Sequence, residues 1–163
     1  MVADIINYDY LSEKVVMSKV KALYHIVFCT KRREMTISES SHEDLYRFIW
    51  SVIKENNCKL LRIGGIENHV HILLELNPAV ALSHLMREIK SKSSGWMIKD
   101  SRFPDFAGWA KEYFASTISP NQMDPVINYI KNQKEHHGSR PIEIELCDMY
   151  RYANLEYTDK DMM

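Results

Sequence analysis

Two histidines separated by one residue, His69 and His71, and a pair one helical turn apart, Tyr129 and Gln133, have the types and spacing best suited to chemistry in this sequence. On a strand, residues two apart project from one face, roughly 6–7 Å from each other, so His69 and His71 can offer their imidazoles to one metal ion. On a helix, positions four apart differ by only about 40° in direction, so the Tyr129 phenol and the Gln133 amide face the same space. If that flank lies against the histidine face, Gln133 supplies a third ligand and Tyr129 brings its hydroxyl beside the ion. Two imidazole nitrogens and an amide oxygen are less soft than thiolates and suit Mg²⁺ or Mn²⁺, with zinc a further option. Such a set could perform phosphoryl transfer, because a divalent cation neutralises the charge that builds on phosphate oxygens. A phenol, with a reference pKa of ~10, is a modest nucleophile and a fair leaving group, so a phosphotyrosine linkage is reversible by a DNA 3′-hydroxyl and requires no nucleotide cofactor. Taken singly, each residue has a plainer reading. His-x-His can be hydrogen-bonded within a half-buried sheet surface, and helix geometry alone favours Tyr129 at the edge of the core and Gln133 in solvent.

The surrounding patterns define the elements that would have to position these residues. Residues 69–76 alternate, with Val70, Ile72, Leu74 and Leu76 facing a core and His69, His71, Leu73 and Glu75 facing away. A strand is predicted over 23–30, where the aromatic and β-branched run breaks into Lys31-Arg32-Arg33. An amphipathic helix is predicted over 41–57, with Leu45, Phe48, Ile49, Val52 and Ile53 at spacings of three and four. Runs 58–66 and 69–76 read as a hairpin across Glu67-Asn68, with Gly64-Gly65 marking a bulge or a close approach of backbone. A second helix is predicted over 79–98 and a fourth strand over 109–118. A third helix has Asp124 as N-cap and Pro125 first, with an earlier start at Ser119-Pro120 as the alternative, and ends before Gly138. Its stripe is Met123, Val126, Ile127 and Ile130, which leaves Tyr129 and Gln133 on a flank. The order gives an α+β fold, a ferredoxin-like βαββαβ antiparallel sheet with helices on one face and an additional C-terminal helix, which would be the catalytic one if Tyr129 reacts.

Bulk properties set the frame. With 163 residues, 45% hydrophobic and 26% charged, the chain suits one soluble domain. Residues 1–19 read as an extension, 20–138 as the domain and 139–163 as an acidic tail that wraps the surface or a partner. No apolar run has the length of a membrane span and the N-terminus has no signal-peptide pattern, so a cytoplasmic protein is expected. Cys29, Cys58 and Cys147 are too few for a disulfide framework or a zinc ribbon. A net charge of -1 gives no global pull toward nucleic acid. Basic residues nevertheless gather between 87 and 134, which allows a locally basic surface.

The chain resembles the single-tyrosine HUH transposases of small bacterial insertion sequences and their repeat-associated relatives. The likeness spans roughly residues 20–138 and is carried by Tyr24–Arg33, by Gly65-Ile66-Glu67-Asn68-His69-Val70-His71-Ile72-Leu73, by the helix over 82–94, and by Tyr129 through His137. It implies His69 and His71 as metal ligands, Tyr129 as nucleophile and Gln133 as third ligand. It also implies a homodimer acting on hairpin-bearing single-stranded DNA, in which the tyrosine helix of one subunit can complete the metal site of the other. Asn68 stands where relatives often carry Asp, a change that bears on the orientation of the ligands.

Candidate DNA contacts are Lys31, Arg32 and Arg33 after the first strand, and Arg87, Lys90 and Lys92 on the second helix. Trp96, Trp109 and Tyr113 could stack on unpaired bases or lie in the core. Two other classes of function compete. One is a ferredoxin-like nucleic-acid-binding module without catalysis, which would need exposed aromatics on its central strands. The other is a small metal protein that joins His69 and His71 to His136 or His137.

Overall fold

The computed structural model describes residues 19–133 and 141–158. Lys134, His136, His137 and the predicted end of the third helix lie outside them, as does residues 1–18 of the predicted extension. Among the described residues the strands and α-helices are β1 (Leu23–Cys29), α1 (His42–Glu55), β2 (Lys59–Ile66), β3 (His69–Glu75), α2 (Leu82–Met97), β4 (Phe114–Thr117), α3 (Met123–Lys131) and α4 (Ile142–Tyr152). The four strands form one antiparallel sheet in the order β2-β3-β1-β4, the α+β arrangement expected of a βαββαβ chain.

The sheet's two faces have different chemistry, and that difference sets the layers. Ile26, Phe28, Val70, Ile72 and Leu74 point toward α1 and α2, where Leu45, Ile49, Ile53, Leu85, Met86 and Ile89 close the main core. Each fully buried aliphatic side chain contributes about 1.5–3 kcal/mol of transfer energy. The opposite face carries the histidines. Cross-strand pairing sets His69 opposite Cys29 and His71 opposite Val27, while Gly64 of β2 faces His71 from the other side. Helix α3 covers this face over β2 and β3.

Four predicted features differ or are decided between alternatives. The strand over 109–118 is shorter: Trp109 makes only an isolated bridge to Thr30, and regular pairing begins at Phe114. Helix α3 takes the earlier start, through a turn at Pro120–Gln122 that Ser119 caps reciprocally with Gln122, so Asp124 is not its N-cap. It stops at Lys131, and only Ile130 of its stripe is fully buried. The acidic tail, expected to wrap the surface, instead forms α4, which buries Ile142 and Leu146 against Val27, Cys29 and Phe114 in a second small core. Gly64-Gly65 marks a close approach rather than a bulge, since the register shift of β2 lies between Leu60 and Arg62.

Candidate active site

β3 presents His69 and His71 on one face, both with no exposed surface, and their ring centres are 4.9 Å apart. The Asn68 carboxamide fixes the first. Its Nδ2 donates to the Arg33 carbonyl at 3.2 Å, which leaves Oδ1 to accept from His69 Nδ1–H at 2.8 Å. The proton therefore sits on Nδ1 and the Nε2 lone pair is available to a metal. Asn68 is itself held by the end of β1, since the Thr30 N–H donates to its carbonyl at 2.9 Å.

A third histidine, unremarked in the sequence, orients the second. His25 Nε2 lies 3.1 Å from His71 Nδ1, and the two rings stack at 5.3 Å. Burial pushes the His25 imidazole down to about 4, so it is neutral near pH 7 and able to accept from Nδ1–H of His71. Alternation along β1 could have placed His25 on the same face as Val27 and Cys29, but only the register with β3 sets it beside His71.

Tyr129 and Gln133 both lie on this face, although α3 ends before Gln133 and helix geometry alone favours Gln133 in solvent. The partner that joins them is Glu145 of α4. One of its oxygens, Oε1, accepts the Tyr129 hydroxyl, accepts the Gln133 amide N–H at 3.2 Å, and lies 3.4 Å from His71 Nε2. Glu145 and Gln133 are both buried and Tyr129 is half-buried, its ring 5.7 Å from that of His71. Burial pushes the Glu145 carboxyl up to about 7. A carboxylate oxygen facing an imidazole nitrogen inside a protein requires a shared proton or cation. Donor atoms of His69, His71 and Glu145 lie within 4.8 Å of one another, close enough to ligate one ion. Two imidazoles and a carboxylate form a donor set known for divalent metals, and the Gln133 amide, turned to present its oxygen, would add a fourth donor.

A signal for Glu145 exists in the sequence. Ile142, Leu146, Met149, Tyr150 and Ala153 recur at helical spacing, and Glu145 stands beside that stripe one turn after Ile142.

The backbone fit beneath α3 is tight. A Cβ at Gly64 would stand 2.8 Å from the Ile130 carbonyl oxygen and 2.9 Å from the Ile130 side chain. Gly64→Ala is therefore expected to lift α3 off the sheet and lower stability by about 1–3 kcal/mol without changing any side chain of the site. Thermal melts check this, and an unchanged melting temperature would show that the approach is not tight.

The basic candidates divide. Lys31 and Arg32 are exposed at the end of β1. Arg33 turns inward, its side chain 8% exposed, and pairs with Glu143 of α4 at 3.3 Å. Arg87 donates to His84 at 3.0 Å, Lys90 to the Lys111 carbonyl at 2.7 Å, and Lys92 pairs with Glu55 and Glu88. Trp96 stacks on Phe48 and packs edge-on against Phe103 in the main core. Among the described residues, no helix is long and apolar enough to cross a membrane.

With this geometry in place, comparison with known proteins defines the class. Residues 18–133 match the family model described as Transposase IS200 like. The chain belongs to that family of transposases. It is 26% identical over 117 residues to the transposase for insertion sequence element IS200 of Salmonella typhimurium, covering 69% of this chain and 76% of that one. It is 22% identical over 119 residues to the ISDra2 transposase TnpA of Deinococcus radiodurans, covering 69% and 84%. Among solved structures, it superposes with TM-score 0.58 and 17% identity on a REP-associated tyrosine transposase bound to a REP hairpin, covering 78% of this chain and 75% of that one. A crystal structure of a protein assigned as a transposase from Deinococcus radiodurans R1 gives TM-score 0.58 at 22% identity, covering 75% and 98%.

Proposed function

We propose that this chain cleaves and rejoins single-stranded DNA through a 5′-phosphotyrosine intermediate formed on Tyr129. The observation that supports it most is the convergence of the Tyr129 phenol, the Gln133 amide and His71 Nε2 on one carboxylate oxygen beside His69. In this reading His69, His71 and Gln133 hold a divalent ion, Mg²⁺ or Mn²⁺, and Glu145 adds a carboxylate donor. The ion, when bound, neutralises charge on the scissile phosphate and orients it.

The chain's own residues do the rest. Glu145 fixes the direction of the Tyr129 hydroxyl, His25 and Asn68 hold the imidazoles, and α4 closes the site against water. Attack of the phenol oxygen on phosphorus forms the P–O bond to Tyr129 and breaks the bond to the 3′ oxygen, which departs as a 3′-hydroxyl. Attack by another 3′-hydroxyl reverses the step and releases the phenol. The hairpin bound to the REP-associated relative supports hairpin-bearing DNA ends as substrates; the same reading assigns the activity to a domain over 20–138 acting in the cytoplasm. A homodimer is part of the same reading, yet one chain brings Tyr129 to His71 unaided.

Denaturing gels of protein incubated with Mn²⁺ and hairpin-bearing single strands test the proposal, since a binding module gives no covalent complex. Asn68 offers a finer test. Asn68→Ala is expected to lower metal affinity about 10–100-fold, whereas Asn68→Asp, which still accepts from His69 Nδ1–H, keeps it. Calorimetric titration with Mn²⁺ decides, and equal affinities for both variants would remove Asn68 from the account.

A further inference from the structure

The edge of the sheet beside β4 opens a cavity that the reaction above does not use. Three residue steps along β1, from Val27 to Thr30, face five along its partner, from Trp109 to Phe114. The two surplus residues let the segment 111–113 loop away from the strand. Lys90 pins this loop, donating to the Lys111 carbonyl at 2.7 Å with its ammonium 5.9 Å from the Tyr113 ring centre. Between the loop, the end of β1 and α4 lies a cavity of about 590 Å³, in the range of small-ligand sites.

We propose that this cavity receives one unpaired nucleotide of the DNA strand, its base among Trp109, Tyr113 and Tyr150 and its phosphate at Lys31, Arg32 and Lys111. The inference rests on the reading of the chain as a single-strand DNA transposase. All six residues line the cavity. The three aromatics are half-buried and the three cations exposed, so the walls are apolar and the rim is charged. Nucleotides have the matching division, a flat base and an anionic phosphate, and stacking on aromatic rings tolerates any base. Glu112 is the single carboxylate on the rim against those three cations.

Position supports the same occupant. The Phe114 ring lies 5.4 Å from that of Tyr150 and 6.3 Å from that of His25, so one side chain links the cavity to the histidine face. Leu146, which also lines the cavity, adjoins Glu145. A strand whose phosphate lies at Tyr129 therefore has this cavity next to it for a flanking nucleotide.

The test uses the full chain and a hexathymidylate with one internal 2-aminopurine, whose fluorescence falls on stacking. The wild-type protein is expected to quench and bind the probe. Tyr113→Ala and Lys111→Ala, both in the loop and away from the reacting groups, are expected to weaken binding about fivefold or more, with Tyr113→Ala also losing quenching and Tyr113→Phe restoring it. Absence of quenching by the wild type, or wild-type affinity in both alanine variants at an unchanged melting temperature, overturns the proposal. The covalent assay separates the two readings. Normal quenching without an adduct counts against catalysis alone, whereas a normal adduct with wild-type probe binding by the alanine variants counts against the cavity alone.

Discussion

Tyr129→Phe is expected to eliminate the covalent protein–DNA complex and to lower strand cleavage by about 10³-fold or more, the scale seen when a nucleophile is removed. The substitution takes away one oxygen and leaves the ring in place, 5.7 Å from His71 and 6.2 Å from His25. Glu145 loses one donor and keeps the Gln133 amide, so stability should change by only about 1 kcal/mol. Binding of hairpin DNA should persist. Single-turnover cleavage followed on denaturing gels reads the effect, and an adduct that survives in the variant would assign the nucleophile elsewhere.

His71→Ala is expected to have the next largest effect, because its imidazole joins both halves of the site. One nitrogen faces His25 and the other faces Glu145, with no exposed surface. On the proposed reading its removal withdraws a metal ligand, so Mn²⁺ affinity should fall by more than the 10–100-fold typical of lost supporting hydrogen bonds, and metal-dependent cleavage should fall with it. The vacated space and the buried polar atoms of His25 and Glu145 should also lower stability by about 2–4 kcal/mol. Glu145→Gln is the informative companion. It keeps the side chain's size and its acceptor for Tyr129 but loses the charge, so it should weaken Mn²⁺ less than His71→Ala does. Calorimetry on variants shown by melting to be folded makes the comparison, and wild-type affinity in His71→Ala would place the ion outside this face.

Most of the sheet was legible because its periodicity records one-sided burial. Val70, Ile72 and Leu74 alternate against α1 and α2, and Leu45, Ile49, Val52 and Ile53 recur at helical spacing for the same reason. The chemistry-bearing residues were legible where spacing within one element sufficed, as for His69 with His71. What spacing could not convey was contact between elements. His25 became part of the site only through strand register, and Glu145 only through the docking of α4. The acids at Glu143, Glu145 and Asp148 disguised that helix's stripe as a solvated tail, although Glu143 pairs with Arg33 and Glu145 is buried. β4 misled for a different reason: alternation at Trp109, Lys111 and Tyr113 continued the strand pattern across a bulge. Charge was the least legible property, since Arg33, Lys90 and Lys92 were set aside for DNA yet make contacts within the chain.

The most direct test of the central claim is to locate the covalent bond. Protein incubated with Mn²⁺ and a hairpin-bearing single strand, then digested with nuclease and protease, should yield the peptide containing Tyr129 with a nucleotide 5′-phosphate on the phenol oxygen. An unmodified Tyr129 peptide alongside cleaved DNA, or the nucleotide on another residue, would contradict the account.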